Sequence, residues 1–203
     1  EMGMKIWIYD ENSYPSGFAG GHVPDQMPES YSQGQGLAMI RTNMLPDTAD
    51  KYFICLREED GNYTDITSQT ADWKGQTGNY CLFAKTFHQK SDWYGGFSYV
   101  DLLLPGVTQK FLDITMKGYE KYAGEEFGKT VPGIFTDEPE IVTSGGIKWT
   151  PDLFDVFMEE WGYDLKPFLP LLFEETGEYK RIRHNYTQTL LNLFIERWSK
   201  PYF

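Results

Sequence analysis

The sequence has little positive charge, few cysteines and histidines, and no long apolar run. Its 203 residues carry 18 Lys and Arg against 30 Asp and Glu, which gives a net charge of −12. A chain with a pI near 4.6 lacks the basic face that binding to phosphates requires, so we expect no nucleic-acid partner. No apolar stretch approaches the roughly 18 residues of a membrane-spanning helix, so we expect no membrane span.

The scarce cysteines and histidines say little about metal or redox chemistry. Cys55 and Cys81 both lie in strand-like segments, and two cysteines leave open whether they pair. No Cys-x-x-Cys or His-x-His spacing indicates zinc. The loop with glycines at 17, 20 and 21 lacks the Gly-x-Gly-x-x-Gly spacing of a dinucleotide site. We expect instead a rigid loop whose small residues let a ligand or backbone approach closely.

Aromatic residues are the one class in excess, with 6 Trp, 14 Tyr and 14 Phe making up 17% of the chain. Flat rings suit stacking on sugars, although packing within a core is the commoner role of such residues. The remaining composition, 40% hydrophobic and 24% charged, is that of an ordinary globular protein. The length allows one large domain or two small ones with a substantial core.

The order of predicted elements indicates βαβ units. Strand-like runs lie at residues 4–9, 97–104 and 131–136, and helical periodicity covers residues 108–122 and 181–198. A further helix is predicted at residues 151–161, capped by Thr150 and ended by Gly162. Residues 51–90 differ, because runs at 52–57, 63–67 and 80–86 read as antiparallel strands, the first two joined at Asp60-Gly61-Asn62.

These patterns predict an α/β fold with a parallel sheet. About three barrel-type strands are present, whereas a closed barrel needs eight. We therefore expect residues 1–203 to form a single catalytic-type domain that is part of a larger (β/α)8 TIM-type barrel. Residues 31–90 would be an inserted antiparallel β-rich excursion from that barrel.

Two acidic pairs lie where an α/β barrel places its catalytic groups. Asp10-Glu11 and Asp137-Glu138 each follow a predicted strand. Glycoside hydrolysis uses two carboxyl groups, about 5 Å apart in retaining enzymes and about 6.5–9.5 Å apart in inverting ones. The alternative is that these acids are merely solvated at the strand ends. We take Glu138, Asp137 and Glu11 as catalytic candidates and leave the second member of the pair open.

Several polar and aromatic residues near the predicted loops are candidates for sugar binding. His22 adjoins the glycine loop, and Asp101 lies in a predicted strand. Core packing is the alternative for each aromatic residue, and a structural role is the alternative for Asp101. The binding candidates are Asp10, Tyr14, His22, Trp93, Tyr94, Asp101 and Trp149.

Five short segments occur in a fixed order along the chain: WIYDE at residues 7–11, YPSGFAGG at 14–21, YVDLL at 99–103, GIFTDEP at 133–139 and GYDL at 162–165. In this order they resemble the barrel of bacterial α-L-rhamnosidases of glycoside hydrolase family 106 and their uncharacterised relatives. The resemblance covers most of the chain outside residues 31–90. The long Pro-Ser-Gly segment is fairly specific and Asp-Glu-Pro alone is not, so the resemblance rests on the order of the segments.

The resemblance implies a glycoside hydrolase that removes terminal sugars, above all α-L-rhamnose, from plant-type polysaccharides. It implies inversion of configuration, Glu138 as general acid, a general base beyond Phe203, and calcium as cofactor. It also implies a secreted or periplasmic protein. A non-catalytic carbohydrate-binding relative with the same cleft, and a purely structural domain, are the alternatives.

Overall fold

A computed structural model describes residues 3–203 of the chain. These residues form two compact units, each assembled from separate stretches of sequence. Unit 1 consists of residues 3–33, His88–Val142 and Leu193–Phe203. Unit 2 consists of Gly34–Phe87 and Thr143–Asn192.

Strands and helices alternate irregularly along the chain. The strands are β1 (Trp7–Tyr9), β2 (Gly36–Met44), β3 (Ile54–Glu59), β4 (Asn62–Asp65), β5 (Thr77–Thr86), β6 (Gly133–Phe135) and β7 (Ile147–Lys148). The α-helices are α1 (His22–Gln26), α2 (Glu29–Ser32), α3 (Thr70–Trp73), α4 (Val107–Ala123), α5 (Leu153–Trp161), α6 (Pro170–Phe173), α7 (Tyr179–Phe194) and α8 (Lys200–Tyr202). Among residues 3–203, no helix is both long and apolar enough to span a membrane, as predicted.

Unit 1 contains a parallel pair of short strands. β1 lies beside β6, with Trp7 opposite Gly133 and Tyr9 opposite Phe135. The long helix α4 buries Val107 and Phe111 in the core of this unit. The core also takes in the Phe18 loop and, from the last segment, Trp198 and Tyr202. Residues from all three stretches of sequence therefore meet in one hydrophobic cluster.

Unit 2 is built on a curled antiparallel sheet with the strand order β4-β3-β5-β2-β7. The β3–β4 hairpin closes at Asp60-Gly61, both of which have positive φ, as a tight two-residue hairpin turn requires. The strands predicted at 52–57, 63–67 and 80–86 are confirmed as β3, β4 and β5. β7, which lies far along the chain, pairs with β2 and forms one edge of the sheet.

The predicted helices are present with small shifts at their ends. α4 matches the periodic run at 108–122, and α7 with the π-helical turn Ile195–Ser199 matches the run at 181–198. α5 begins at Leu153, two residues later than predicted, because Thr150-Pro151-Asp152 forms a turn in which the Leu153 amide donates to the Thr150 carbonyl. Gly162 ends α5 in a left-handed conformation, as predicted.

The prediction of a (β/α)8 TIM-type barrel is wrong. The described residues contain one parallel pair, β1 with β6, and the larger sheet is antiparallel throughout. A strand followed by a helix does not have to be part of a βαβ unit, because the next strand can pair elsewhere. The order of strands along the chain does not specify which strands pair. In this protein most of the paired strands are antiparallel.

The run at 97–104 is the predicted strand that the structure lacks. Asp101 accepts the Leu103 amide on its side chain at 3.1 Å, and its carbonyl accepts the Leu104 amide at 3.0 Å. These bonds fold the chain into a turn, a structure that Asp side chains favour. The apolar residues of the run are buried all the same, so their pattern reported burial rather than an extended backbone.

The two cysteines are not bonded to each other. In the β3–β5 ladder Cys55 lies opposite Leu82, and Cys81 lies opposite Leu56. Side chains alternate between the faces of a sheet, so the two thiols point to opposite faces. Both are buried, and burial raises the pKa of each thiol to about 11.

Candidate functional site

The parallel pairing in unit 1 brings the two acidic pairs to one end of the two strands. β1 leads directly into Asp10-Glu11, and β6 leads through Thr136 into Asp137-Glu138. The Asp10 amide continues the ladder by donating to the Phe135 carbonyl at 3.2 Å. Because the strands are parallel and in register, their carboxyl ends meet. The placement of both pairs at strand ends, expected from the sequence, is present in this unit.

Ser16 joins the two strand ends through its side chain and its backbone. Its hydroxyl donates to Oδ1 of Asp10 at 2.9 Å and accepts the Asp137 amide at 2.8 Å. Its own amide donates to the Asp137 carbonyl at 2.7 Å, and its carbonyl accepts the Tyr99 hydroxyl at 2.7 Å. Ser16 is fully buried, so each of these groups depends on its partner for hydrogen bonding.

Asp10 is a buried carboxyl group with hydroxyl donors on both oxygens. Ser16 donates to Oδ1, and Tyr202 donates to Oδ2 at 2.5 Å. Hydrogen bonds of this kind fix the orientation of a carboxyl group. Asp10 is therefore held rigidly by residues from the loop after β1 and from the last helix.

Glu11 differs from its neighbour in both surroundings and chemistry. Its Oε1 accepts the Gly17 amide at 2.9 Å, and Oε2 accepts the Ser13 amide at 3.4 Å. Burial raises the pKa of the Glu11 carboxyl from 4.5 to about 8, despite the lowering effect of the Gly17 amide and with a smaller raising effect of Asp10. Glu11 therefore carries a proton at neutral pH beside a second carboxyl group, an arrangement suited to donating that proton.

A cavity of about 180 Å³ opens beside this pair. Asp10, Glu11 and Asn12 line one side, together with His22 at the start of α1. Helix α4 closes the other side through Ile114, Thr115 and Tyr119. The cavity thus presents two carboxyl groups, an amide and an imidazole against a mixed apolar wall.

Asp137 and Glu138 lie beside Asp10 and Glu11. Neither is among the described residues that line the cavity. Tyr9 donates its hydroxyl to Oδ2 of Asp137 at 2.9 Å. Glu138 is exposed and has a φ of 46°, a left-handed conformation that is uncommon outside glycine. Strained residues of this kind cluster at functional sites, so Glu138 stays a candidate on backbone grounds.

Two of the aromatic candidates, Tyr14 and Trp93, contact each other. Trp93 donates its indole N–H to the Tyr14 carbonyl at 2.7 Å, and the two rings meet edge to face at 5.5 Å between centroids. Both rings are about half exposed. Tyr94 is half-buried and packs its ring edge to face on Phe18. Tyr14 and Trp93 therefore offer ring surface to a ligand, whereas Tyr94 mainly supports the loop.

Two sequence candidates lie elsewhere. Asp101 is buried and stabilises its own turn, as described above. Trp149 belongs to unit 2, where it is buried against Phe53 with ring centroids 5.1 Å apart. Lys85 lies over the Trp149 ring, its Nζ 4.2 Å from the centroid. Asp101 therefore has a structural role and Trp149 a packing role, which are the alternatives that the sequence analysis gave for them.

Ser16 and Tyr202 were not among the candidates from sequence. Ser16 lies within the Pro-Ser-Gly segment, and a small polar residue between proline and glycine after an acidic strand end was a usable signal. Tyr202 had none, because it meets Asp10 across 192 positions of sequence. Ile114, Thr115 and Tyr119, which line the cavity, lie in the helical run predicted at 108–122, and no signal in the sequence sets them apart from its other residues.

The cavity does not fit a calcium ion. Ca²⁺ takes six to eight oxygen ligands, several of them carboxylates. Here both oxygens of Asp10 already accept hydroxyl groups, and both oxygens of Glu11 accept backbone amides. Within residues 3–203 no group of three or more His, Cys, Asp and Glu side chains is placed to hold a metal. Calcium stays a prediction from the resemblance, and no step below uses it.

Comparison of the chain with models of protein families, with curated proteins and with solved structures finds no match.

Proposed function

We propose that the protein is a glycoside hydrolase whose active site is the cavity beside Asp10 and Glu11. The proposal rests on the partly buried carboxyl group of Glu11, which lines a cavity next to the carboxyl group of Asp10. Burial raises the pKa of Glu11 to about 8, which suits an acid that keeps its proton. Glycosidases use two carboxyl groups, one of which keeps its proton until it donates it to the leaving oxygen. The half-exposed rings of Tyr14 and Trp93 support a sugar-binding role for the adjoining loop.

In this proposal Glu11 donates its proton to the glycosidic oxygen as the bond to the anomeric carbon breaks. A water molecule forms the new bond to that carbon, and the proton it releases restores the acid form of Glu11. Asp10, fixed by Ser16 and Tyr202, stabilises the positive charge that develops on the sugar ring. His22 and Asn12 are placed at the cavity wall to hydrogen-bond sugar hydroxyls. α-L-Rhamnosides are the first substrates to test, because the five sequence segments resemble those of rhamnosidases.

The resemblance and the geometry favour different acids. Glu138 is the general acid that the resemblance implies, whereas Glu11 has the burial and the raised pKa that the role requires. Hydrolysis should be measured on a panel of 4-nitrophenyl glycosides for the native protein, Glu11→Gln and Glu138→Gln. Glu120→Gln, at an exposed position on α4, is the matched control.

We expect Glu11→Gln to lower turnover by about 10²–10⁴-fold, the usual contribution of general acid catalysis, and Glu120→Gln to leave it unchanged. The loss should shrink on a 2,4-dinitrophenyl glycoside, whose leaving group needs little protonation. Loss in Glu138→Gln alone would transfer the acid role to Glu138. Activity that a chelator abolishes would add the predicted calcium ion.

The second candidate function is sugar binding without hydrolysis, favoured by the exposed Tyr14 and Trp93 rings. It predicts no product from any glycoside over long incubation, together with measurable affinity for an oligosaccharide. Trp93→Ala should then weaken that affinity, whereas Glu11→Gln should have little effect on it.

A further inference from the structure

Unit 2 contains a cleft of its own, of about 310 Å³, formed entirely by residues of that unit. Its wall combines two phenylalanine rings, Phe53 and Phe154, with the charged side chains of Asp65, Asp155 and Lys166. Its volume lies at the lower end of the roughly 300–1,000 Å³ range of small-molecule pockets. None of these residues takes part in the site proposed above.

The two rings are stacked, with nearly parallel planes, and the Nζ of Lys85 lies 4.4 Å from the centre of the Phe53 ring. The planes of Phe53 and Phe154 are 22° apart and their centroids are 6.4 Å apart, and both side chains are partly exposed. Phe53 is anchored by its amide, which donates to the Phe83 carbonyl at 2.8 Å, and by edge-to-face contact with the buried Trp149. Phe154 lies in the first turn of α5. The ring pair is therefore held by the residue that precedes β3 and by helix α5.

Charged groups of both signs surround these rings. Asp155 is exposed in the first turn of α5, and the Nζ of Lys166 lies 5.6 Å from the centre of the Phe154 ring. Asp65 orients one oxygen toward its own turn, where Oδ1 accepts the Thr67 amide at 2.9 Å and the Thr67 hydroxyl at 2.5 Å. The cleft thus places carboxylate acceptors and an ammonium donor around the rings of Phe53 and Phe154.

We propose that this cleft binds a sugar ring of an oligosaccharide or polysaccharide. A sugar has an apolar face of C–H groups that stacks on aromatic rings, whose faces are electron-rich. Its hydroxyl groups both donate and accept hydrogen bonds, so neighbouring hydroxyls can pair with Asp155 and Lys166 together. Two carboxylates disfavour an anionic ligand, and a purely apolar ligand would leave three charged side chains without new partners.

The simplest alternative is that each charged residue is only structural. Asp155 stabilises the N-terminal end of α5 through the helix dipole, and Asp65 holds its turn. Asp72 provides a control for this reading, because it too is an acidic residue that is exposed in the first turn of a short helix of unit 2. If only helix-end charge mattered, Asp155→Ala and Asp72→Ala would behave alike.

The test is affinity electrophoresis of the protein in native gels containing rhamnan, arabinan, galactan or xyloglucan, with a polymer-free gel as reference. We expect retardation by at least one polymer. Phe154→Ala and Asp155→Ala should each raise the dissociation constant roughly tenfold, the effect of losing an interaction of about 1.4 kcal/mol. Asp72→Ala and Glu11→Gln should leave it unchanged, and circular dichroism should confirm that each variant is folded.

The outcomes separate this site from the proposed active site. Retardation that survives both Phe154→Ala and Asp155→Ala would overturn the cleft as a sugar site, as would the absence of retardation by every polymer. Retardation lost only in Glu11→Gln would place binding in unit 1 and likewise reject the cleft. Loss of hydrolysis in Glu11→Gln with unchanged retardation would support both sites independently.

Discussion

Tyr202 donates its hydroxyl to Oδ2 of Asp10 across 2.5 Å, joining two residues 192 positions apart. Both side chains are buried, with Asp10 only 3% exposed. Burial, and then the hydrogen bond to Asp10, raise the pKa of the Tyr202 hydroxyl, so it stays a proton donor across the usual pH range. The last helix of unit 1 is thus linked directly to the first acidic pair.

Tyr202→Phe should destabilise the protein by about 1–3 kcal/mol, because a buried carboxylate oxygen loses its donor while the apolar ring is kept. The free energy of unfolding should be measured by urea denaturation. Tyr122→Phe is the control, since Tyr122 is 83% exposed and should change stability by less than about 0.5 kcal/mol. Equal effects in the two variants would show that the Asp10 contact contributes nothing.

Ser16→Ala should be more damaging than its size suggests. The change removes the donor to Asp10 and the acceptor of the Asp137 amide together, so two buried groups lose a partner. We expect a loss of about 2–4 kcal/mol of stability, measured by the same denaturation. Ser13→Ala, at a neighbouring half-buried position, should leave stability nearly unchanged because the Ser13 amide still donates to Glu11. A Ser16 variant as stable as the Ser13 variant would contradict the bridging role.

Glu11 should make stability fall as pH rises. Its pKa is about 8 in the folded protein against an ordinary 4.5, so between these values the folded state holds the proton more tightly than the unfolded state. The folded state therefore loses stability as pH rises from about 5 to about 8, and the penalty is complete above that range. Melting temperatures of the native protein and Glu11→Gln should diverge over this interval. Parallel curves would mean that Glu11 ionises normally.

Two glycine substitutions should change the stability of the protein in opposite directions. Gly21 has a φ of 101°, and a Cβ there would lie 2.9 Å from the Gly95 Cα, so Gly21→Ala should destabilise by more than about 1 kcal/mol. Gly118 lies within α4 with nothing within 4 Å of an added Cβ, so Gly118→Ala should stabilise by about 0.5–1 kcal/mol. Thermal melts of both variants would check this. Destabilisation by Gly118→Ala would indicate that α4 is constrained on its exposed face.

Local patterns in the sequence were sufficient wherever a structure depends on neighbouring residues. The periodicity of α4, the hairpin turn at Asp60-Gly61 and the stop at Gly162 follow from local geometry, and all three are present. The acidic strand ends were found for the same reason. The barrel prediction failed because it required knowledge of which strands pair, and that choice depends on contacts between distant segments.

In the candidate site, too, the features that depend on neighbouring residues could be predicted, whereas those that depend on distant contacts could not. Asp10, Glu11 and the loop between them and Gly21 were recognisable as a polar cluster after a strand. The environment that distinguishes Glu11 from Asp10 was not, because burial and the Tyr202 hydroxyl depend on the folded chain. The aromatic candidates divided similarly, since exposure of Trp93 and burial of Trp149 follow from tertiary packing.

The way the chain is shared between the two units affects how it can fold. Unit 1 is interrupted twice and draws its core from three stretches, the last of which supplies Trp198 and Tyr202. During synthesis its core cannot close until that last stretch has left the ribosome, whereas unit 2 is already complete at Asn192. Pairing of Trp7 with Gly133 adds a large loop to close, and long loops slow folding. Unit 2 is therefore expected to become protease-resistant first, while the carboxyl groups of unit 1 are still being assembled.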